Sequence, residues 1–311
     1  MFGKWVRRVV RTQEIFGRLQ HLERQADTQL LLSGKQMSHL VKGLPDGRPL
    51  REAEFKVFSQ FGDDGIIQFL LSAVPVSDDR FVEFGVQDYR EATTRFLLQN
   101  DNWRGLVMDS SEANVDAIRT SWWYGAHELT ARTAWVTAEN INDLLTEAGY
   151  TGPIGLLHID IDGNDLHVWN AVEVTQPDVV ILEYNALLGP ERMLTVPYDP
   201  AFDRTKAHFS WQYYGSSIKA LADSCNHRGY AFVGCNSAGN NAYFVRRRLL
   251  GRVREVSIEQ GFVMSHFRDS RNLEGRFSYA TGAERLAVTR DAIYLDLERD
   301  ELRSVANIFG V

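Results

Sequence analysis

The chain has 311 residues, enough to bury a full core. It is 44% hydrophobic and 24% charged, as soluble proteins usually are. The formal net charge of −7 argues against a nucleic-acid backbone as partner, because that needs a basic surface. No apolar run approaches the ~20 residues of a membrane span, and the N-terminus lacks the continuous apolar core of a secretory signal. The two cysteines, Cys225 and Cys235, form no C-x-x-C and fit a reducing cytoplasm, where the protein is expected to reside.

Residues 1–45 make the first predicted element. Phe2, Trp5, Val9, Thr12, Phe16, Leu19, Glu23, Ala26, Leu30, Ser33, Met37 and Leu40 recur at alternating spacings of three and four. That is a heptad seam, imperfect at Thr12, Glu23 and Ser33. A long helix with such a stripe must pack on something. The expectation is a second copy of the chain, hence a homo-oligomer. Lys4, Arg7, Arg8 and Arg11 beside Trp5, Val6, Val9 and Val10 offer peripheral docking on a membrane surface instead. Packing along the chain's own domain is the third reading. Gly43, Pro45 and Gly47 then mark a linker. A principal domain over 46–250 and an extension over 251–311 complete the expected organisation.

The stretch from Arg80 to Asp109 carries the most information. An apolar run, Phe81 to Val86, holds Glu83 and ends near Gly85; a helical segment follows around Phe96, Leu97 and Leu98; a second apolar run, Gly105 to Met108, ends on Asp109. Strand, turn, helix, strand and acid is the layout of a nucleotide-binding βαβ unit. Gly85 lets the backbone approach a ligand, and a carboxylate at 109 can accept from both hydroxyls of a ribose. The glycines of G-x-G-x-x-G are missing, and Glu83 and Asp88 would repel a pyrophosphate. They suit S-adenosylmethionine, whose sulfonium and ammonium are positive.

Further strands are predicted over Glu128–Val136, Ile154–Asp160, Val179–Glu183, Tyr230–Gly234 and Ala242–Arg246, with helices over Glu139–Glu147, Asn164–Val172 and Ser216–Arg228. This pattern predicts an α/β, Rossmann-like fold: a seven-stranded, mostly parallel sheet with helices on both faces. A closing antiparallel pair matches the class I methyltransferase sheet.

Seven segments together resemble one family. They are SQFGDDGII (Ser59–Ile67), FVEFGV (Phe81–Val86), FLLQNDNWRGLVMD (Phe96–Asp109), HIDIDGND (His158–Asp165), ILEYN (Ile181–Asn185), YYGSSIKAL (Tyr213–Leu221) and GYAFVGCNSAGNNAYFVR (Gly229–Arg246). In order and spacing the chain, from about Phe55 to Arg285, resembles the FkbM-like, S-adenosylmethionine-dependent methyltransferases of bacterial glycan and natural-product genes. One departure is Gln87-Asp88-Tyr89, where relatives often carry a second glycine. The resemblance implies that Gln60 and Asp64 reach the methionine end, that Glu83 and Gly85 shape it, that Asp109 holds the ribose and that Ser110 lies near the adenine.

Two acidic segments should meet at the C-terminal ends of neighbouring strands: Asp160, Asp162 and Asp165 after the fourth, Glu183 and Asn185 after the fifth. Clustered oxygen ligands suit Mg²⁺ or another divalent cation, which would lower the pKa of an attacking hydroxyl. By similarity to metal-dependent O-methyltransferases, Asp162, Glu183 and Asn185 are the expected ligands, with Asp160 as an alternate and Asp165 as a base. Two other readings stand beside this. The acids cap the next helix and pair with arginines, Asp162 and Asn164 sitting where N-cap residues belong, or a metal-free site uses Asp165 or a histidine as base. His158 is either that catalytic group or a hydrogen-bonded core histidine.

Beyond the sheet, His208, Phe209, Trp211, Tyr213 and Tyr214 offer a stacking wall for a sugar or a cover for the sheet end. Asn236, Asn240 and Asn241 read as turn formers. Arg268, Arg271 and Arg276 offer a phosphate or carboxylate clamp, as for a nucleotide-linked sugar, and LDLERDELRSV beyond Tyr294 reads as a capping helix. The expected activity is O-methylation of a sugar hydroxyl on a surface polysaccharide or natural product. The alternatives are an NAD-dependent nucleotide-sugar oxidoreductase, disfavoured by the missing glycines, and a non-catalytic scaffold of the same fold.

Overall fold

The computed structural model describes residues 2–311, with side chains from residue 14 onward. The basic patch at Lys4, Arg7, Arg8 and Arg11 and the seam positions Phe2, Trp5, Val9 and Thr12 lie outside the described side chains.

The strands in chain order are β1 (Arg80–Phe84), β2 (Arg104–Asp109), β3 (Leu129–Thr133), β4 (Gly152–Ile159), β5 (Thr175–Glu183), β6 (Leu194–Thr195), β7 (Tyr230–Cys235), β8 (Asn241–Arg246), β9 (Ile293–Asp296) and β10 (Glu301–Ser304). The helices that matter below are α1 (Phe2–Lys42), α2 (Asp63–Ala73), α3 (Arg95–Asp101), α4 (Glu112–Thr120), α5 (Ile141–Glu147), α6 (Asp165–Ala171), α7 (Arg204–Ala207) and α8 (Ile218–His227). Seven strands form one sheet in the order β3-β2-β1-β4-β5-β8-β7. The pairs β3/β2, β2/β1, β1/β4 and β4/β5 are parallel, and β8 runs antiparallel to both of its neighbours. This is the Rossmann-like arrangement expected from the sequence, with the antiparallel strand lying one place in from the edge.

The central strands are apolar on both sides because both faces are covered. Side chains alternate across the sheet. Phe81 of β1, Leu156 of β4 and Val179 of β5 share one core cluster with Ile66, Ile67 and Leu70 of α2 and Val115 of α4. Val82 and Phe84, Leu157, and Val180 and Leu182 share the other with Leu145 of α5, Trp169 of α6 and Leu221 of α8. Parallel strands leave their C-terminal ends side by side, and the loops that leave those ends build the site.

The C-proximal part of α1 lies on its own domain. Gly34 is buried, and a Cβ there would come within 2.5 Å of Val57 Cγ2, so the close approach needs glycine. Ser38 donates to Gln68, Val41 enters the core, and Asp27 pairs with Arg95 at 2.6 Å. The described seam residues are not this docking face. Phe16, Leu19, Leu30, Met37 and Leu40 remain 38–66% exposed. The docked positions 27, 31, 34, 38 and 41 follow the seam positions by one residue, a turn of ~100° about the helix axis.

The capping helix expected beyond Tyr294 is instead a hairpin. β9 pairs with β10 and with β6 in a three-stranded sheet, and only Val305–Phe309 is helical there. Tyr294 and Asp296 turn inward on alternate positions, and Arg303 reaches across to Asp296 at 2.7 Å. Asp300 takes the left-handed φ of +56° between the strands.

Candidate functional site

β1 runs out at Phe84, and Gly85 turns the chain with φ +75°. A Cβ at Gly85 would sit 1.7 Å from the carbonyl oxygen of Asp160, so β1 and β4 can part only over a glycine. The second glycine of related turns is absent, and Gln87 itself takes φ +49°. Asp109 compensates: its Oδ2 accepts from the Gln87 N–H at 2.8 Å, while Oδ1 accepts from Ser111 N–H at 2.9 Å and Asn114 Nδ2 at 3.0 Å. The acid at the tip of β2 therefore ties the turn after β1 to the start of α4.

A cleft of about 570 Å³ opens over these strand ends. Of the residues singled out from the sequence, Gln60, Gly85, Asp109, Ser110, Asp160, Asp162 and Glu183 line it. Gln87, from the departing turn, and Val136 line it too, as do Trp135, Phe202, Asp203 and Arg204, which had drawn no attention in the sequence. Trp135 is fixed by its Nε1–H donating to the Pro200 carbonyl at 2.7 Å. A separate hollow of about 440 Å³ beside β7, lined by Arg48, Arg51 and Arg254 among others, contains none of the clustered acids.

Asp64, Glu83, His158, Asp165 and Asn185 do not line the cleft. Asp64 is buried, and its Oδ2 accepts from the N–H groups of Val57, Phe58 and Ser59 and from Ser59 Oγ, at 2.7–2.8 Å. It shapes the loop that carries Gln60. Burial raises its pKa to about 6 against the pull of those donors.

Glu83 and His158 face each other across β1 and β4 at 3.1 Å, both almost fully buried. Glu83 also accepts from the N–H groups of Thr93 and Thr94 and from the Thr94 hydroxyl. Burial pushes Glu83 up, but His158, Thr94 and Thr93 outweigh it and leave its pKa lowered. Burial pushes His158 down, and the hydrogen bond and charge of Glu83, with Asp160 and Asp63 nearby, raise it. The pair is a buried hydrogen bond that ties two neighbouring strands together, the geometry of a hydrogen-bonded core histidine.

The acids after β4 and β5 do converge, in a different combination from the one expected. Asp160, Asp165 and Glu183 each offer an oxygen within 4.8 Å of the others. Asp162 takes φ +58°, which sends its carboxylate outward to Arg204 at 2.6 Å. Asp165 closes that turn from beneath, accepting from the N–H groups of Ile161 and Gly163 at 2.9 Å. Asn185 is turned inward. Its Oδ1 accepts from Leu187 N–H, and its Nδ2 donates to the Gln212 and Tyr214 carbonyls at 3.2 and 3.0 Å, which holds the amide away from the cleft lining. Burial, then the charge of Asp162, raises Asp160 to about 8. Burial raises Asp165 to about 6 against its backbone donors. Burial, then the charges of Asp160 and Asp162, push Glu183 well above the ordinary glutamate range. Glu183 Oε2 is buried with no hydrogen-bond partner.

Arg204 of α7 closes the cleft opposite these acids. Its Nε donates to the Trp211 carbonyl at 2.6 Å, its Nη groups reach Asp162 and Asp269 at 2.6 and 3.3 Å, and its guanidinium lies 3.9 Å from the Tyr214 ring. Burial works against its charge, but Tyr214, Asp162 and Glu183 hold its pKa above the ordinary value. The expected arginine clamp does not form. Arg271 stacks on Trp211 and Phe277, Arg276 is exposed beside Glu274, and Arg268 is exposed. The aromatic segment covers the sheet end: Tyr213 donates to the Ile293 carbonyl and Tyr214 is buried under Arg204. Asn236 makes its turn by accepting from the N–H groups of Gly239, Asn240 and Asn241.

No family model matches the chain, and no curated protein matches it. Solved methyltransferase structures do. The O-methyltransferase from Bacillus cereus in complex with S-adenosylhomocysteine matches at 14% identity over 54% of this chain and 74% of that one, TM-score 0.36. An S-adenosylmethionine-dependent methyltransferase from Clostridium acetobutylicum matches at 10% identity over 58% and 88%, TM-score 0.37. The N-terminal domain of EvdMO1, with S-adenosylhomocysteine and D-fucose, matches at 14% identity over 70% and 94%, TM-score 0.37. The chain spans about half, 52%, of the CurJ and DszA carbon methyltransferases it also matches. Overlaps this weak say nothing about activity, and the fold stands on the strand order itself.

Proposed function

We propose that the protein is an S-adenosylmethionine-dependent O-methyltransferase acting on a sugar hydroxyl of a surface glycan or natural product, in line with its FkbM-like motifs. The observation that carries this reading is the cleft over β1, β2, β4 and β5, with Gly85 at its floor, Asp109 at one end and two carboxylates, half-buried Asp160 and buried Glu183, at the other. A ribose at Asp109 would add its hydroxyls to the acceptor capacity that the Gln87, Ser111 and Asn114 donors leave on that carboxylate. An acidic cleft opposes a pyrophosphate and favours the positive sulfonium and ammonium of S-adenosylmethionine.

The acceptor oxygen would attack the methyl carbon as the bond to sulfur breaks, yielding S-adenosylhomocysteine. Its proton needs a base in reach. Asp160 and Glu183 line the cleft and take that role here, while Asp165 and His158 lie behind them and set the local charge. The donor set of Asp160, Asp165 and Glu183, all oxygen and with Glu183 Oε2 unpartnered, fits a hard divalent cation. Such an ion, when bound, would polarise the acceptor hydroxyl. The exposed seam of α1 supports pairing between two copies of the chain. A thermal-shift comparison tests the cofactor reading: S-adenosylhomocysteine should raise the melting temperature and NAD should not. Stabilisation by NAD alone would favour an oxidoreductase.

A further inference from the structure

We infer that the acceptor is an uncharged polyol, bearing neither phosphate nor carboxylate where it enters the cleft, and that the cluster of Arg204, Asp162 and Asp269 enforces that choice. This rests on the methyltransferase reading and narrows its substrate class.

Among the described residues Arg204 is the one lysine, arginine or histidine that lines the cleft, against five carboxylates: Asp109, Asp160, Asp162, Glu183 and Asp203. Its charge is already matched. Two of its nitrogens face Asp162 and Asp269, the third donates to a carbonyl, and one face covers Tyr214. An incoming anion would have to displace two carboxylates to reach it. Among the described side chains near it, Arg271 is stacked between aromatic rings, Arg285 is turned inward to Gln212 and Ser265, and Lys206 is paired with Asp203 at 2.8 Å. A phosphate or uronate would therefore meet like charge in a partly desolvated cleft. Carboxyl groups hydrogen-bond sugar hydroxyls in either protonation state, accepting when ionised and also donating when protonated. A neutral polyol is the complement of this wall.

The test uses the full chain, labelled S-adenosylmethionine and one sugar in four forms: methyl glycoside, 6-phosphate, uronate and nucleoside-diphosphate ester. The glycoside is expected to be methylated with kcat/KM at least about 100-fold above the charged forms. Asp162→Asn, and separately Asp269→Asn, should narrow that gap by roughly tenfold by releasing Arg204. Equal or better methylation of any charged form by the parent protein overturns the inference. Absence of S-adenosylhomocysteine binding in a thermal-shift control would instead defeat the methyltransferase reading, so the two failures are separable.

Discussion

At Gly85 the chain has no room for a side chain and no freedom for an L-residue's usual backbone: φ is +75° and Asp160 O lies 1.7 Å from where a Cβ would be. Gly85→Ala should cost at least ~2 kcal/mol, seen as a lower urea midpoint, and should weaken binding of S-adenosylhomocysteine. Asp160 gives a prediction in pH. Its folded pKa of about 8 lies above the ordinary aspartate value of 3.8. The folded protein therefore holds a proton that the unfolded chain has released, and stability falls as pH rises through that interval. Asp160→Asn cannot ionise, so it should be more stable than the parent at pH 8 by at least ~1 kcal/mol and equal to it at pH 4, as measured by urea melts. With Asp160 as base, turnover of the parent should rise with pH to a plateau above about 8. Gly85 and Asp109 were legible in the sequence because a strand end fixes where each must sit. The exchange of Asp162 for Asp165 in the acid cluster was not, because it turns on one left-handed residue at 162. Arg204, 42 residues away from its partner Asp162, gave no local signal at all.

At the scale of elements, α1 carries two apolar faces, and the sequence displayed the wrong one for docking. The large residues form the exposed seam, while the docked face uses Gly34, Ser38 and Val41, whose small size is what permits contact. Its anchor is Asp27 against Arg95, whose guanidinium also lies 3.9 Å from the Phe58 ring. Asp27→Ala would leave Arg95 buried and unpaired, and a loss of about 3 kcal/mol is expected in chemical denaturation. Leu19→Glu and Leu30→Glu, on the seam, should leave that stability within ~0.5 kcal/mol and convert a dimer to monomer in sedimentation velocity. A parent protein that sediments as a monomer would remove the self-association proposal. The hairpin of β9 and β10 was misread for a related reason. Leu, Glu and Arg favour helix by propensity, but Tyr294 and Asp296 are both buried on one face of β9, which pairs on both sides.

For the molecule as a whole, the strand runs and their intervening helices were readable, because buried parallel strands must be apolar throughout. The sequence could also predict that ligands gather over the C-terminal strand ends. It could not show the closure of that cleft by the 199–214 segment, which depends on distant contacts such as Trp135 with Pro200 and Arg204 with Asp269. If the three converging carboxylates hold a cation, Mg²⁺ should raise the melting temperature of the parent and leave Glu183→Gln unchanged. Equal shifts in both would dissociate the cluster from metal binding. On the proposed reading this cleft takes S-adenosylmethionine with its ribose at Asp109. Isothermal titration of S-adenosylhomocysteine into the parent and into Asp109→Ala tests it most directly. Saturable binding by the parent, weakened at least about tenfold in the variant, is the predicted result; no binding by the parent, or equal affinity in both proteins, would contradict it.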